Sequence, residues 1–210
     1  MTKKSNFIIA LVLLTVASGG MWAQGATEYM EAHPELVTEV QTSEPVAVSE
    51  DDGILLMREE EKLARDVYLA LYERWGIRTF ANIARSEQQH MDAVAALLAT
   101  RGIEDPVKNA GPGEFVNEEI QNLYDELVAK GSVSALEALT VGAIIEDLDI
   151  YDLKRLLDGT EDPLTIHVYS ALLRGSENHM RSFAGLLERL GSSYEARYIS
   201  PEELNAILGK

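Results

Sequence analysis

From residue 53 to the C-terminus, apolar residues recur at intervals of three and four, and no strand-like alternation of useful length interrupts them. A first helix is predicted over about 53–75, stopping at Gly76, and a second starts at Thr79 and stops at Gly102. A shorter one covers about 116–130 and is closed by Gly131. The fourth begins at the capping box Ser134-x-x-Glu137 and ends before Gly159. The fifth has Asp162 as N-cap and Pro163 at its first helical position, and ends before Gly191. A short last helix follows Ser200-Pro201-Glu202-Glu203. Each stop is a glycine, the residue that most readily takes a left-handed closing conformation. The pattern predicts an all-α chain.

The connections carry the next inference. Linkers of about three residues between the first and second helices, and about four between the fourth and fifth, make each pair an antiparallel hairpin. About thirty residues with their own helix separate the two hairpins. One long crossover between two hairpins is the connectivity of a ferritin-like four-helix bundle rather than of an up-down-up-down bundle. The expected organisation is a bundle domain over 53–199, followed by a short C-terminal helix over 200–210.

The N-terminal quarter has a different character. Lys3 and Lys4 precede an apolar run over 7–17 broken only by Thr15, and small residues follow at Ser18, Gly19, Gly20 and Ala23. This predicts a signal peptide ending near residue 23, and a mature protein that is secreted or held in the periplasm or cell envelope. The run is too short for a span of about 20 apolar residues, so the membrane enters only through this segment. Residues 24–52 hold eight acidic residues, no Lys or Arg, and Pro34 and Pro45, and predict a solvated acidic linker.

Composition narrows the chemistry. The 210 residues include 18 Lys and Arg against 35 Asp and Glu, a net charge of −17, of which −11 falls on residues 53–210. Such acidity argues against a nucleic-acid partner, whose binding is dominated by Lys and Arg on phosphates. The absence of cysteine excludes disulfides, iron–sulfur clusters, thiol catalysis and cysteine zinc sites. Any metal must therefore be held by His and carboxylate. Neither a Gly-x-Ser-x-Gly elbow, a P-loop nor a dinucleotide fingerprint is present.

Against this background, several polar residues lie on apolar stripes. The second helix reads Phe80, Ile83, Glu87, His90, Val94, Leu97, with Glu87 and His90 about one turn apart. The first reads Met57, Glu61, Ala64, Tyr68, Leu71, although Glu60 also fits a stripe with Leu56, Leu63 and Val67. The choice among Glu59, Glu60 and Glu61 is thus left open by periodicity. The fourth helix reads Leu136, Leu139, Ala143, Glu146, Ile150, Leu153, with Asp149 a turn from Glu146. The fifth reads Val168, Leu172, Ser176, His179, Phe183, Leu186. Each long helix therefore offers a ligand-type side chain near its middle. Converging buried carboxylates repel one another unless protonated, paired or bound to a cation, and a divalent metal pair is the simplest remedy. Mixed carboxylate and imidazole donors suit Fe or Mn. Taken singly, Glu87 with His90 also reads as a buried acid–imidazole pair, and Glu146-Asp147 with Asp149 as a solvated face.

These residues carry a resemblance. Glu61-x-x-Ala64-Arg65-x-x-Tyr68, Glu87-x-x-His90 and Glu146-x-x-Asp149 resemble the helix motifs of rubrerythrins in the ferritin-like diiron-carboxylate superfamily. Segments 59–68, 86–91, 142–153 and 175–183 are similar still more closely to a prokaryotic ferritin-like family known as a domain of unknown function. The resemblance implies two Fe ions, or Mn, held by Glu61, Glu87, His90, Glu146 and His179, with Asp149 as a further candidate. It implies O2 or peroxide as the small-molecule partner and a ferroxidase or peroxide-reducing oxidoreductase activity. Tyr68 reads either as a residue that hydrogen-bonds a ligand or is oxidised beside the metals, or as core packing with a polar tip. Two departures stand out: Ser176 occupies the place of the fifth helix's expected Glu, and the cysteine-ligated iron domain of rubrerythrin is lacking, so electrons must come from an external donor. A non-catalytic module that sequesters metal or serves in stress, and a metal-free helical interaction domain, are the alternatives. Self-association into a homo-oligomer is left open.

Overall fold

The computed structural model describes residues 49–210, in which there are six helices and no strand. They are α1 (Glu50–Trp75), α2 (Arg78–Arg101), α3 (Glu118–Gly131), α4 (Ala135–Asp158), α5 (Pro163–Arg189) and α6 (Pro201–Leu208). The predicted signal segment and most of the acidic block lie outside the described residues. The block's last three residues, Glu50, Asp51 and Asp52, form the first turn of α1, so this helix starts earlier than its apolar pattern predicts. Ser49 is the reason: its Oγ accepts from Asp52 N at 3.2 Å, and the acidic side chains complement the positive end of the helix. Asn117, Ser134, Asp162 and Ser200 cap α3 to α6 in the same way. None of the described helices is long and apolar enough to cross a membrane.

Packing follows the connections. α1 lies along α2 and α4 along α5, while α2–α5 and α1–α4 contacts join the two hairpins. α3 rests on α1 and α4, and α6 on α5. The shared core has two apolar layers. Ile54, Met57, Val94, Leu97, Leu153 and Leu172 belong to one. Tyr68, Phe80 and Phe183 form the other, with ring centroids 5.3–5.9 Å apart. Each such side chain contributes about 1.5–3 kcal/mol by leaving water, and the polar residues of interest lie between the layers.

Not every glycine acts as the sequence predicts. Gly76 and Gly102 close α1 and α2 in the left-handed region, with φ of 66° and 67°. Gly159 stays right-handed at φ −95°, and Gly131 is still helical. Gly131 is needed for space instead: a Cβ there would lie 2.7 Å from Leu71 Cδ2, and Trp75 Nε1 donates to its carbonyl at 2.8 Å.

Asp147, readable from sequence as part of a solvated face, is fully buried. Its carboxylate accepts from Tyr194 Oη at 2.7 Å and from the backbone N–H groups of Arg197, Tyr198 and Ile199 at 2.6, 3.2 and 3.0 Å. One side chain thereby fastens the irregular segment between α5 and α6 to α4. Asp147→Ala leaves those donors unpaired and is expected to cost about 2–4 kcal/mol in chemical denaturation. Limited proteolysis of the same variant should cut first within 190–199, and cleavage there at the wild-type rate would contradict this role.

Candidate functional site

The second-helix motif behaves as its spacing predicts. Glu87 and His90 both face inward from α2, and His90 Nδ1 lies 2.7 Å from Glu87 Oε2. From α1, Glu61 Oε2 comes within 3.1 Å of the same nitrogen. On the other side, His179 Nδ1 of α5 lies 2.8 Å from Glu87 Oε1 and 3.5 Å from Glu146 Oε2 of α4. The two imidazoles stack with centroids 5.6 Å apart. Glu61, Glu87 and His90 form one group whose donor atoms all lie within 4.8 Å, and Glu87, Glu146 and His179 form another. Glu87 belongs to both, one oxygen directed to each.

Several donor atoms have no suitable hydrogen-bond partner. Glu61 Oε1, Glu87 Oε1 and His179 Nδ1 are buried and unsatisfied, so the short approach of His179 to Glu87 is not aligned as a hydrogen bond. Such atoms are costly unless something else meets them.

Tyr68 is fully buried and donates to Glu146 Oε1 at 2.5 Å, fixing that carboxylate from below. Burial, and then the charge of Glu146, pushes its phenol well above the usual range, so it stays a donor. Asp149 lies beside the donor groups rather than in either: Ser176 Oγ holds its Oδ2 by a short hydrogen bond. Ser176 thus stands where the resemblance places a carboxylate, and it orients one from α4 instead.

The glutamate run on α1, ambiguous in sequence, is fully buried, and its three members face different partners. Glu61 meets His90. Glu59 turns to the crossover and accepts from Val116 N and Asn117 N at 3.0 and 3.1 Å. Glu60 faces α4, and its environment is that of a third case: no donor reaches either oxygen. Lys62 was not foreseen as buried, yet it is 1% exposed, bonded to Asp66 and Gly111 O at 2.5 and 2.7 Å and seated over the Phe115 ring. With Glu59 it latches the crossover to the back of α1. Gly175 was also missed: a Cβ there would lie 2.5 Å from His90 Cε1 and Nε2, so this glycine lets α5 close on the outer edge of the imidazole. His167, which lies off the stripes in sequence, is exposed.

Protons are the counter-ions when no metal is bound. Burial opposes the charged form of both imidazoles, but Glu61 and Glu87 raise His90 to about 11, and Glu146 and Glu87 raise His179 to about 10. Burial likewise opposes ionisation of Glu87, but His179 and His90 outweigh it and bring Glu87 down to about 2. Burial holds Asp149 up to about 7, and burial with the charge of Asp149 keeps Glu61 well above the carboxylate range. The cluster therefore keeps protons that unfolded side chains would release.

Comparison with known proteins gives three findings. A family model described as "Uncharacterized protein domain (DUF2202)" matches residues 50–210. The chain is 50% identical over 165 residues to the uncharacterized protein MJ0754 of Methanocaldococcus jannaschii, covering 79% of this chain and 89% of that protein. The crystal structure of hypothetical protein MJ0754 from Methanococcus jannaschii DSM 2661 is similar with a TM-score of 0.76 at 49% identity, over 80% of this chain and 96% of that one.

The titrations give the fold a direction with pH in the presence of a chelator. The histidines, raised above their ordinary 6.5, stabilise the fold fully below that value and lose this as pH rises through about 10 and 11. Asp149, raised from 3.8 to about 7, makes the fold less stable across that interval as pH rises. Glu87 acts oppositely, but its contribution is complete above 4.5 and is lost only as pH falls through about 2. Thermal melts in chelator should therefore fall steadily between pH 5 and pH 9, and a flat or rising profile would contradict the assignment.

Proposed function

The chain belongs to the DUF2202 family, and from that premise we propose that it is a ferritin-like metalloprotein holding a dinuclear iron or manganese centre that acts on O2 or peroxide. In this reading α1, α2, α4 and α5 are the four helices of the bundle, and α3 is the helix of its crossover. The supporting observation is the sharing of Glu87 between two donor groups, each completed by one further carboxylate and one imidazole. A single hydrogen-bonded acid–imidazole pair does not require this duplication.

The residues fit such a centre. Glu61 and His90 would hold one ion and Glu146 and His179 the other, with Glu87 between them. The unsatisfied Glu61 Oε1, Glu87 Oε1 and His179 Nδ1 are ligand-type atoms in need of a partner. Oxygen and nitrogen donors without sulfur suit iron or manganese, and two divalent charges balance the buried carboxylates. When bound, these metals supply one-electron redox changes and open positions for a small oxygen-containing substrate.

The chain's own residues prepare the site for that chemistry. Tyr68 fixes Glu146 by its hydrogen bond, and Gly175 lets the His90 ring sit tightly against α5. Tyr68, Phe80 and Phe183 on one side, and Met57, Val94 and Leu172 on the other, keep bulk water from the carboxylates. Ser176 presents Asp149 as the fourth carboxylate, in place of the one absent from α5. Electrons come from an external donor, since no cysteine is available for a resident iron–sulfur relay. Export by residues 1–23 belongs to the same proposal and places this chemistry outside the cytoplasm.

Ser176 also favours the second reading, metal sequestration without turnover, because it removes one bridging side chain from the centre. Oxygen uptake after anaerobic loading with Fe(II) separates the two: rapid consumption supports the oxidoreductase, and its absence with metal retained supports sequestration.

Sharing of Glu87 gives a sharp test by elemental analysis of loaded protein. The wild type should hold about two metal equivalents, His90→Ala about one, and Glu87→Gln almost none. Two equivalents retained by Glu87→Gln would overturn the dinuclear arrangement.

A further inference from the structure

Between the first turns of α2 and the last turns of α5 lies a cleft of about 390 Å³. Ile83 and Leu186 give it apolar walls. Its charged members are Arg181 and Arg189, and among the described residues no Asp or Glu lines it. Ile83 is four residues before Glu87, and Ser182, also in the lining, is three after His179. The cleft therefore lies about one helical turn from the donor groups and outside them.

The charge of this cleft runs against that of the chain. Residues 53–210 carry −11, and cations elsewhere on the bundle are matched by acids: Arg58 by Asp105, Lys62 by Asp66, Arg101 by Glu50, Lys130 by Glu137. Arg189 pairs with no carboxylate among the described residues, and its neighbour Glu188 is taken by Lys210. Its guanidinium turns back along α5 instead. Arg189 Nη1 would lie 3.9 Å from a Cβ on Gly185, so this glycine leaves the space beside it open. Arg181 donates Nε to Ile207 O at 2.7 Å and Nη1 to Asn178 Oδ1 at 2.6 Å. These neutral acceptors fix the group without cancelling its charge. One carboxylate, Glu177, stands 3.5 Å from Arg181 Nη2, and such a solvent-facing pair is weak. From α2, Arg85 donates to Asn82 Oδ1, which adds a third positive charge at the rim. The Asn82 amide N–H groups and the Thr79 hydroxyl are left as neutral donors to the cleft. Guanidinium groups and neutral donors in a concavity free of acids focus positive potential and match the oxygens of a phosphate group.

We propose that this cleft binds a small phosphate-type anion, with its oxygens on Arg181 and Arg189 and any organic body against Ile83 and Leu186. Its volume exceeds what a phosphate group alone fills and is in the range of small-molecule pockets. The site is separate from the dinuclear centre and does not depend on it.

The test is isothermal titration calorimetry of the full chain at low ionic strength, after chelator treatment and removal of the chelator. Inorganic phosphate and phenyl phosphate are the probes. Saturable binding at one site per chain is expected. Arg189→Gln removes one charge, and Gly185→Leu fills the cleft with every charge kept. Each should weaken binding by about tenfold or more. Arg174→Gln removes an exposed charge of α5 outside the cleft and should change affinity by less than about twofold. Thermal melts check that each variant folds. Tighter binding of phenyl phosphate would identify an organic monoester as the occupant, and equal or tighter binding of inorganic phosphate the free ion; both support the site. No saturable heat with either probe would overturn the proposal. So would equal weakening by Arg174→Gln and Arg189→Gln, since diffuse surface charge would then attract the anion. Unchanged affinity in Gly185→Leu would overturn it as well.

Discussion

Burying a carboxylate costs several kcal/mol unless hydrogen bonds or a counter-charge replace the lost water, and α1, α2 and α4 bury eight of them in or beside one interior. The structure answers this cost in two ways. Glu59 and Asp147 receive backbone N–H groups, and in doing so fasten the crossover and the C-terminal segment to the helices. Glu61, Glu87 and Glu146 instead face two imidazoles, with unsatisfied atoms directed between them. The first solution makes a rigid scaffold. The second leaves a demand for positive charge that protons meet only at the expense of two charged histidines, His179 buried and His90 partly buried.

That demand can be held in place because the surroundings are stiff. Apolar layers lie on both sides of the polar level, so its side chains sit on helices locked by packing rather than on loops. Contacts from the back of α1 add to this: Arg58 binds Asp105 and Met91 O, and Arg65 binds Gln88. Gly175 and Gly142 allow close approach where a Cβ would strike His90 or Phe183. These features keep the four acids and two imidazoles of the site near one another despite their repulsion.

The helical pattern, its caps and the stripes carrying Glu87, His90, Glu146 and His179 were readable because burial of a helix face imposes a 3.6-residue period on sequence. The same period could not resolve Glu59, Glu60 and Glu61. Successive helix residues point about 100° apart, and α1 is covered on three sides, by α2, α3 with the crossover, and α4. All three glutamates are therefore buried, each by a different neighbour. Asp147 escaped for a related reason: its partners lie in the aperiodic stretch after α5, which leaves no pattern to read. Gly131 reads in sequence as a helix stop and Gly175 carries no role there, since close helix approach is a property of tertiary structure. The relation of Ser176 to Asp149 likewise needed two helices in register.

In the proposed centre Glu87 serves two cations at once. The most direct measurement is an anomalous difference map from crystals loaded with Fe(II) or Mn(II), collected at the metal's absorption edge. Two peaks are predicted, one among Glu61, Glu87 and His90 and the other among Glu87, Glu146 and His179. A single peak elsewhere, or none in this interior at saturating metal, would contradict the dinuclear centre.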